Sequence, residues 1–341
     1  MVPRAAPLAN APRVFAPSSV IKGCWQLGGG HRGEAASDRT SGAVAVDDFA
    51  AFEAAGIASF DTGPEACGYG PSERVIGQFV ASRGGAEGLQ LNTKVCAGFS
   101  AQTATPQSVR EAVKRAKQRM GVPSLGLVQL YWHRYGQAGL EDAALTLTDL
   151  AEAGEIAYVG TTNFDTESLA RMVDAGARLD AHQIQYSLLD RRCQNGQEAY
   201  CVDNGIALLP YGVVAGGLLS DRYVGAKVND VKVDTSSKGK YASVARQAGG
   251  WAQVQTLLAV CKKVGDKHGQ SVSNVATKWV LAQPAVPAVI IGARNAKHVA
   301  DHQRLFQFDL DAEDLSEIQA ALDEQPRPRG EPYAWERGGS F

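Results

Sequence analysis

The sequence lacks an excess of either charge sign, and it lacks an apolar run long enough to cross a membrane. Its 34 basic and 36 acidic side chains leave a formal net charge of -2, so no basic surface suited to a phosphate backbone is predicted. No uninterrupted apolar stretch approaches the roughly 20 residues that span a bilayer. We therefore expect neither a nucleic acid nor a membrane as a partner.

Cysteine is sparse and shows no paired spacing. The 6 cysteines form no CxxC pair and no Cys/His ligand pattern, which argues against a disulfide scaffold and against a metal site. A reducing compartment is the expectation for such a chain. The first 22 residues carry basic side chains without an acid but no apolar signal core. We expect a cytoplasmic protein, with an organelle such as a plastid as the alternative.

Short apolar runs alternate with helical patterns along the 341 residues. This alternation is typical of repeated βα units on a parallel sheet. A chain of this length fits one barrel of roughly 250 residues with additions. We predict an α/β fold, a (β/α)8 TIM barrel in a single domain. The eight predicted strands are Val20–Leu27, Ser59–Thr62, Leu89–Val95, Leu125–His133, Ala157–Asn163, His182–Ser187, Ile206–Gly212 and Val286–Ala293.

Helix start and stop signals agree with this pattern. Thr105 followed by Pro106 predicts the start of a helix that ends at Gly121. Ser72 is predicted to cap the helix that follows it. Glycines just beyond other helical runs predict left-handed closing residues, at Gly56, Gly154 and Gly176.

The interval between the last two strands is far longer than the others. The segment between residues 212 and 293 contains a polar stretch, residues 230–240, and two helical patterns. It predicts a long loop insertion after strand 7, in a fold whose βα loops carry function. We predict an N-terminal extension over residues 1–18, the barrel domain over 19–325 and a C-terminal tail over 326–341.

Three predicted strands end in polar residues that a purely structural strand would not choose. These are Asp61, Lys94 and His133. Each has a structural alternative, since a strand-end aspartate can cap a turn and a lone histidine can be a satisfied core residue. Strand ends converge at one mouth of a barrel, where an acid, an amine and an imidazole would compensate one another. Together they predict a functional site there.

Seven motifs in order resemble the aldo-keto reductase superfamily over about residues 19–325. They read FDT with YGPSE, NTKV, LVQLYWH, VGTTNF, QIQYS, LLPYG and IIGARN. The resemblance implies a (β/α)8 barrel that binds NADPH without a Rossmann fold and interconverts carbonyls and alcohols. It implies that Tyr69 is the general acid, Lys94 lowers its pKa, Asp61 holds Lys94 and His133 positions the carbonyl.

The loop between Asp61 and Tyr69 departs from the family pattern. The family places four residues between the aspartate and the tyrosine, whereas residues 62–68 stand there in this chain. Either the three extra residues bulge outward and Tyr69 returns to the usual place, or the tyrosine is displaced. The bulge is the favoured interpretation because YGPSE directly precedes the helix, as the family requires. A tyrosine that merely packs on the barrel rim is the structural alternative.

The resemblance also implies a cofactor site and a substrate pocket. A basic residue at Arg294 favours NADPH over NADH. The predicted cofactor-binding residues are Gly23, Cys24, Trp25, Asp61, Thr162, Asn163, Gln183, Tyr211, Gly212, Val213, Val214, Gly292, Ala293, Arg294, His298, Asp301 and His302. The predicted substrate-lining residues are Trp25, Tyr69, Trp132 and His133, with Tyr333 and Trp335 of the tail as further candidates. No metal is expected.

Three cysteines, Cys24, Cys67 and Cys96, are expected near the same mouth. A lysine nearby favours a thiolate, so oxidation at Cys67 or Cys96 is a hypothesis for shutting the site off. The alternative is that these residues are small apolar fillers.

The expected function is NADPH-dependent reduction of aldehydes, ketones or sugar-derived carbonyls. The three extra residues between Asp61 and Tyr69 keep a second hypothesis open, an NADP(H)-binding regulatory or sensor protein resembling potassium-channel β subunits. A third is an aldose dehydrogenase working in the oxidative direction. The partner is a small-molecule carbonyl compound. A monomer is the family-based expectation, with a dimer as the alternative.

Overall fold

The computed structural model describes residues 18–28, 41–97, 104–132, 138–233 and 236–334. Within these ranges eight parallel strands form a closed barrel in chain order, with the last strand pairing the first. They are β1 (Val20–Gly23), β2 (Ser59–Asp61), β3 (Gln90–Ala97), β4 (Leu125–Trp132), β5 (Ile156–Thr162), β6 (Ala181–Gln185), β7 (Ala207–Tyr211) and β8 (Val289–Gly292). The predicted (β/α)8 barrel is confirmed.

Strand side chains alternate between the barrel interior and the layer of surrounding helices. On β4, Leu127 belongs to the interior cluster and Val128 to the larger core between strands and helices. By the same alternation Gln129 and Tyr131 face the interior. The interior cluster comprises Ile21, Leu127, Ala181, Leu209, Ala288 and Ile290. Polar side chains follow these apolar ones toward the carboxyl ends of the strands, where the mouth of the barrel lies.

Eleven α-helices lie in the described part of the chain. They are α1 (Gly42–Ala54), α2 (Ser72–Ser82), α3 (Pro106–Met120), α4 (Leu140–Glu152), α5 (Thr166–Asp174), α6 (Gln197–Asp203), α7 (Ser236–Gln247), α8 (Gly250–His268), α9 (Val272–Leu281), α10 (Val299–Gln303) and α11 (Ala312–Asp323).

The predicted boundaries of α3 are confirmed. The Thr105 hydroxyl accepts a hydrogen bond from the Ser108 backbone N–H at 3.2 Å, and Pro106 occupies the first turn. Gly121 closes the helix with a left-handed φ of 68°. Left-handed glycines also follow three other helices as predicted, with φ values of 82° at Gly56, 74° at Gly154 and 95° at Gly176.

Two local predictions are wrong. Ser72 does not cap α2, because Pro71 precedes the helix and the Ser72 hydroxyl lies 2.6 Å from that of Thr62. The predicted first strand is too long, because β1 stops at Gly23 and a 3-10 helix, Trp25–Gly28, follows it. The chain turns there as Cys24 donates its backbone N–H to the Asp61 carbonyl oxygen at 2.8 Å.

The predicted insertion after strand 7 is confirmed. Between β7 and β8 the described chain forms three 3-10 turns and then α7, α8 and α9. Helix α9 packs against β8, and α8 packs against α9 and α11. Helix α7 lies over the loop that leaves β7, with Tyr241 against Gly212 and Gly216.

The C-terminal tail folds back on the barrel. The Glu331 carboxylate accepts hydrogen bonds from the Thr166 backbone N–H at 2.9 Å and the Thr166 hydroxyl at 2.7 Å, at the start of α5. Asn195 donates to the Gly330 carbonyl oxygen at 2.8 Å. These contacts bring Tyr333 to the mouth beside Tyr131.

None of the helices in the described ranges has the length and apolar character that a membrane span requires.

Candidate active site

An aspartate and a lysine form a buried ion pair at the carboxyl ends of β2 and β3. Lys94 Nζ lies 2.7 Å from Asp61 Oδ2 and also donates to the Thr62 carbonyl oxygen at 2.8 Å. The two side chains are only 4% and 3% exposed. Burial lowers the pKa of Lys94, and the adjacent carboxylate opposes that shift. Each of these predicted strand-end residues therefore compensates the charge of the other.

Two glutamines complete the bonding of this carboxylate. Gln129 Nε2 and Gln183 Nε2 donate to Asp61 Oδ1 at 2.8 and 2.9 Å. Gln183 Nε2 also lies 2.9 Å from Gln129 Oε1. The amide nitrogen of Gln183, which we predicted to hold the nicotinamide carboxamide, is thus engaged with Asp61. Sequence analysis missed Gln129; the available signal was a lone amide in an otherwise apolar strand.

Tyr69 reaches this cluster in spite of the longer loop. Its hydroxyl donates to Asp61 Oδ2 across 3.4 Å, and Lys94 Nζ lies 4.5 Å from the centre of its ring. The side chain is 8% exposed. A 3-10 turn, Glu65–Cys67, takes up the extra residues, and Glu65 and Ala66 are exposed to solvent. The loop therefore bulges outward while the tyrosine stays inside.

The electrostatic surroundings of Tyr69 differ from the prediction. We expected Lys94 to lower the pKa of the phenol. Burial, followed by the negative charge of Asp61, instead raises the pKa of Tyr69 well above its usual value. Burial is the main cause, and the Lys94 ammonium lies against the ring while the hydroxyl contacts the Asp61 carboxylate. In this arrangement Tyr69 keeps its proton at neutral pH and acts as a donor.

Glycine 63 makes room for the tyrosine ring. A Cβ atom on Gly63 would lie 2.8 Å from Tyr69 Cδ2 and 3.0 Å from Tyr69 Cε2. Contacts that short force the ring to move. The first residue of the bulge thus sets the position of the phenol.

Aromatic side chains line the mouth beside Tyr69, although one of them is not the predicted one. The hydroxyls of Tyr131 and Tyr333 lie 3.3 Å apart, and their rings meet edge to face. Trp132 was predicted to line the substrate pocket but is 1% exposed and packs against Phe164 in the core between strands and helices. It points outward because side chains alternate along β4, so Tyr131 takes the interior position.

Two predicted residues of the mouth, His133 and Trp335, lie outside the described residues.

The residues after β1 divide between packing and the mouth. Gly23 lies where a Cβ would come 3.0 Å from the Ile291 carbonyl oxygen, so it permits the close pairing of β1 with β8. Cys24 is fully buried, and burial raises the pKa of its thiol to about 11. Trp25 is 41% exposed and its indole nitrogen borders Gly68 of the bulge. Of these three, only Trp25 has a side chain exposed to solvent.

The carboxyl ends of β5 and β6 carry polar atoms suited to a ligand. Thr162 Oγ1 and Gln185 Oε1 are buried, and neither has a hydrogen-bond partner within the described chain. Asn163 adopts a left-handed φ of 60°, and its Oδ1 accepts from the Tyr211 hydroxyl at 2.8 Å. Buried acceptors without donors are costly unless a ligand or water satisfies them. The carboxamide of a nicotinamide ring carries N–H donors of the kind these acceptors need, so the residues fit the predicted cofactor.

The loop after β7 is covered by α7. Lys240 Nζ lies 4.8 Å from the centre of the Tyr211 ring and 3.2 Å from the Tyr211 hydroxyl. Gly212 has a φ of 70°, and a Cβ there would overlap the Tyr241 hydroxyl. Val213 is buried and Val214 half-buried. Glycine is therefore required at residue 212 both by its conformation and by the packing of α7.

The segment after β8 keeps its backbone donors paired. The Ala296 N–H donates to Asp48 Oδ1 of α1 at 2.9 Å, and the Lys297 N–H donates to Asn295 Oδ1 at 3.1 Å. We expected unpaired donors of a helix N-terminus here, and that detail is wrong because Asp48 lies close enough to accept one. Arg294 is half-buried beside this turn. Gly292 is exposed and Ala293 is buried.

Two of the three predicted residues on the following turns point into the protein. Asp301 accepts hydrogen bonds from the Ser271 hydroxyl at 3.1 Å and the Asn274 amide at 3.3 Å. The His302 ring lies 6.2 Å from that of Phe52, and its Nδ1 is buried. Both side chains are half-buried and contact α1 or α9, and their role in holding the cofactor stays a prediction. His298 is exposed.

A second buried cation escaped sequence analysis. Lys22 is 1% exposed, its Nζ lies 4.8 and 5.1 Å from the ring centres of Phe49 and Phe52, and it donates to the Ala293 carbonyl oxygen at 3.4 Å. Burial lowers its pKa. Lys22 thereby ties β1 to the segment that leaves β8.

Comparisons with known proteins agree with this architecture. The aldo/keto reductase family model matches residues 19–323. Pyridoxal reductase, chloroplastic, of Arabidopsis thaliana is 27% identical over 267 residues, covering 76% of this chain and 70% of that protein. NADH-specific methylglyoxal reductase of Escherichia coli (strain K12) is 26% identical over 329 residues, covering 88% and 94%.

Solved structures share the barrel. The glycerol dehydrogenase of Gluconobacter oxydans superposes with a TM-score of 0.74 at 24% identity, over 91% of this chain and 93% of that one. An aldo/keto reductase from Klebsiella pneumoniae, in complex with NADP and acetate, gives a TM-score of 0.63 at 19% identity, over 92% and 93%. At these identities the likeness concerns the fold. Because the family model spans nearly the whole described barrel, this chain belongs to the aldo/keto reductase family.

Proposed function

We propose that this protein is an NADPH-dependent carbonyl reductase that uses Tyr69 as its general acid. One observation carries the proposal: Asp61, Lys94 and Tyr69 meet in a single buried cluster at the mouth of the barrel. Residues brought together from the end of β2, from the loop that follows it and from β3, with their charges compensated, are typical of a catalytic site.

The chemistry divides between the cofactor and the chain. NADPH, when bound, supplies the hydride to the carbonyl carbon. Tyr69 transfers its hydroxyl proton to the carbonyl oxygen as negative charge develops there. The phenolate that remains lies beside Lys94, whose ammonium stabilises it. Asp61 keeps Lys94 charged and in place.

The raised pKa of Tyr69 means that the phenol is protonated at neutral pH, which is the state that reduction requires. The same oxygen serves as the base in the oxidative direction, so the aldose dehydrogenase hypothesis uses the same residues in reverse.

The substrate class is aldehydes, ketones or sugar-derived carbonyls. Trp25, Tyr131 and Tyr333 offer aromatic surface near the tyrosine. Both relatives compared above are named as reductases of carbonyl compounds, pyridoxal and methylglyoxal. Arg294 supports NADPH, although the Escherichia coli relative is named as NADH-specific.

A regulatory, NADP(H)-binding role is the second candidate. It is favoured by the contact of the Tyr69 hydroxyl with Asp61. In this contact the hydroxyl proton points to the carboxylate and not to the mouth of the barrel.

The test is the loss of NADPH absorbance at the nicotinamide band with a panel of aromatic aldehydes, α-dicarbonyls and aldoses. We expect wild type to turn over and Tyr69→Phe to lose about 10²- to 10⁴-fold in kcat, because general acid catalysis contributes that much. NADPH affinity, measured by fluorescence, should be unchanged. The matched control is Tyr200→Phe on α6, at a half-buried position outside the mouth.

Two outcomes would contradict the proposal. Equal turnover by wild type and Tyr69→Phe would remove Tyr69 as the acid. NADPH binding without turnover by wild type would favour the regulatory candidate.

A further inference from the structure

The sulfur atoms of two of the six cysteines are in direct contact beside the candidate site. Cys67 and Cys96, 29 residues apart in sequence, have Cα atoms 6.4 Å apart, a separation that a disulfide can bridge. Both are half-buried, whereas Cys24, Cys193, Cys201 and Cys261 are buried. Solvent-borne oxidants and reductants therefore reach this pair first.

The pair brackets the residues that the proposed chemistry needs. Cys67 ends the 3-10 turn of the bulge, two residues before Tyr69, and Cys96 follows Lys94 by two residues on β3. Side chains two apart on a strand share a face, so Cys96 lies one layer above Lys94 toward the mouth. The disulfide thus ties the loop that bears the phenol to the strand that bears the ammonium.

The remaining cysteines are unsuited to redox chemistry. Burial raises the pKa of the thiols to about 11 at Cys24 and to about 12 at Cys201 and Cys261. A buried thiol with a raised pKa carries little thiolate, which is the reactive form. Oxidation is consequently directed to Cys67 and Cys96.

We propose that Cys67 and Cys96 form a reversible redox site that controls the proposed reductase activity, with the disulfide as the low-activity form and the dithiol as the active form. This inference rests on the proposed function. The sequence suggested oxidation of Cys67 or Cys96 alone. The structure extends that hypothesis to the two cysteines acting as a pair.

A disulfide at Cys67 restrains the bulge, and Thr62 at its start is already held by its hydrogen bond with Ser72. Tyr69 is 8% exposed. A carbonyl substrate must reach the Tyr69 hydroxyl, so residues 64–68 have to open while the ring keeps its place beside Lys94 and Asp61. Gly68, with a left-handed φ of 81°, gives the chain a pivot once the linkage to β3 is opened.

The chemistry balances with common reagents. Oxidation by a peroxide converts the two thiols and one peroxide into the disulfide and two molecules of water. Reduction by a dithiol transfers two electrons and two protons to the pair and leaves the dithiol as its own disulfide. A protein dithiol of the thiol–disulfide exchange class can perform the second reaction in a cell.

The experiment compares the full-length protein after treatment with hydrogen peroxide and after treatment with dithiothreitol. Maleimide labelling should count two more reactive thiols in the reduced form. NADPH consumption with the best substrate of the panel should be about 10-fold faster in the reduced form, because general acid catalysis by Tyr69 is restored. Hydrogen exchange of the segment 62–70 should rise on reduction.

Variants provide the controls. Cys67→Ser and Cys96→Ser should match the reduced wild type in rate and be insensitive to peroxide. Cys67→Ala is compared with Cys67→Ser to detect any effect of the serine hydroxyl itself. NADPH affinity should be equal in all forms, because the pair lies on the side of the mouth formed by β2 and β3.

The redox proposal and the reductase function fail in different experiments. Equal thiol counts after the two treatments, equal rates in the two forms, or a faster oxidised form would overturn the redox proposal. Absence of turnover in both forms would overturn the reductase function instead. In that case hydrogen exchange decides the redox proposal alone, and unchanged exchange over 62–70 would overturn it.

Discussion

At the scale of single residues, the missing side chain of Gly63 is as important to the site as the polar groups around it. The tyrosine ring lies where any Cβ on Gly63 would collide with it. Packed interiors transmit such a collision to the neighbouring group, which here is the phenol of Tyr69.

We predict that Gly63→Ala lowers kcat by about 10-fold, equivalent to about 1.4 kcal/mol, because the ring must shift away from Asp61. Gly63 is buried, but Glu65 and Ala66 of the bulge are exposed and can shift, so the fold should persist. Steady-state kinetics and a circular dichroism spectrum measure the two effects. The matched control is Gly239→Ala in α7, where a Cβ would meet its nearest neighbour at 3.9 Å. Unchanged kcat in Gly63→Ala would show that the ring has another position of equal reactivity.

Part of the site could be read from the residue types. Asp61 and Lys94 are charged residues of neighbouring predicted strands, an unusual pattern for strands that serve packing alone, and the structure pairs them. The contact of Gln129 with Asp61 could not be predicted, because a neutral amide within an apolar strand can also make hydrogen bonds that serve only the fold. The orientation of the Tyr69 hydroxyl likewise depends on atoms from three elements, which no local pattern contains.

At the scale of elements, α10 is anchored by a neutral histidine. His302 lies against Phe52 of α1, and burial lowers its pKa to about 4. The charged groups that act on the ring are Asp301, His298 and Lys22, of which only the first favours protonation. Unfolding exposes the ring and restores its usual pKa, so protonation favours the unfolded chain.

We expect the free energy of unfolding to fall as pH decreases from about 6.5 toward 4, because the unfolded chain binds a proton there that the folded chain rejects. Urea unfolding at a series of pH values measures this slope. His302→Gln should flatten it, while His298→Gln, at an exposed position, should retain it. A slope that is equal in all three proteins would contradict the assignment.

The ends of helices could be predicted where the capping interactions involve only residues that are neighbours in sequence. Thr105 and Gly121 bound α3 as predicted because capping involves only neighbouring backbone groups. Ser72 failed as a cap because its hydroxyl is bonded to Thr62, ten residues earlier, at 2.6 Å. A capping role cannot be predicted from sequence when the side chain has a competing hydrogen-bond partner that only the tertiary structure brings near.

At the scale of the whole molecule, the tail closes part of the mouth from the far side of the barrel. Glu331 is bound to Thr166 at the start of α5, and Tyr333 lies two residues further on, beside Tyr131. A carboxylate at a helix N-terminus is favoured by the helix dipole, which strengthens this attachment.

We predict that Glu331→Ala raises KM for aromatic aldehydes several-fold and leaves kcat within about twofold, since the tail positions Tyr333 and not the reacting groups. Thermal stability should fall modestly, by about 1 kcal/mol, because a charged acceptor is lost. Glu324→Ala, at an exposed position after α11, serves as the control. A fall in kcat with unchanged KM would place the tail in catalysis and refute the pocket role.

The global architecture was the most predictable level. Eight βα units have one common closed arrangement, so counting strands sufficed to predict the barrel and its strand order. The position of the tail and the packing of α7 over the loop after β7 were beyond sequence analysis. Both depend on contacts between segments more than a hundred residues apart or on the shape of a surface formed only after folding.

The strand pairs of the barrel differ in length. The β7–β8 ladder consists of the single residue pair Tyr211 and Ile290. The β3–β4 ladder is longer and runs from the pair Thr93 and Val128 to the pair Ala97 and Trp132. Local opening costs least where the fewest backbone bonds are broken. Separating β7 from β8 therefore breaks fewer ladder bonds than separating β3 from β4, and we expect faster backbone hydrogen exchange along β7 than along β3. The easier opening of the barrel then lies on the side of Tyr211, away from the strand that carries Lys94.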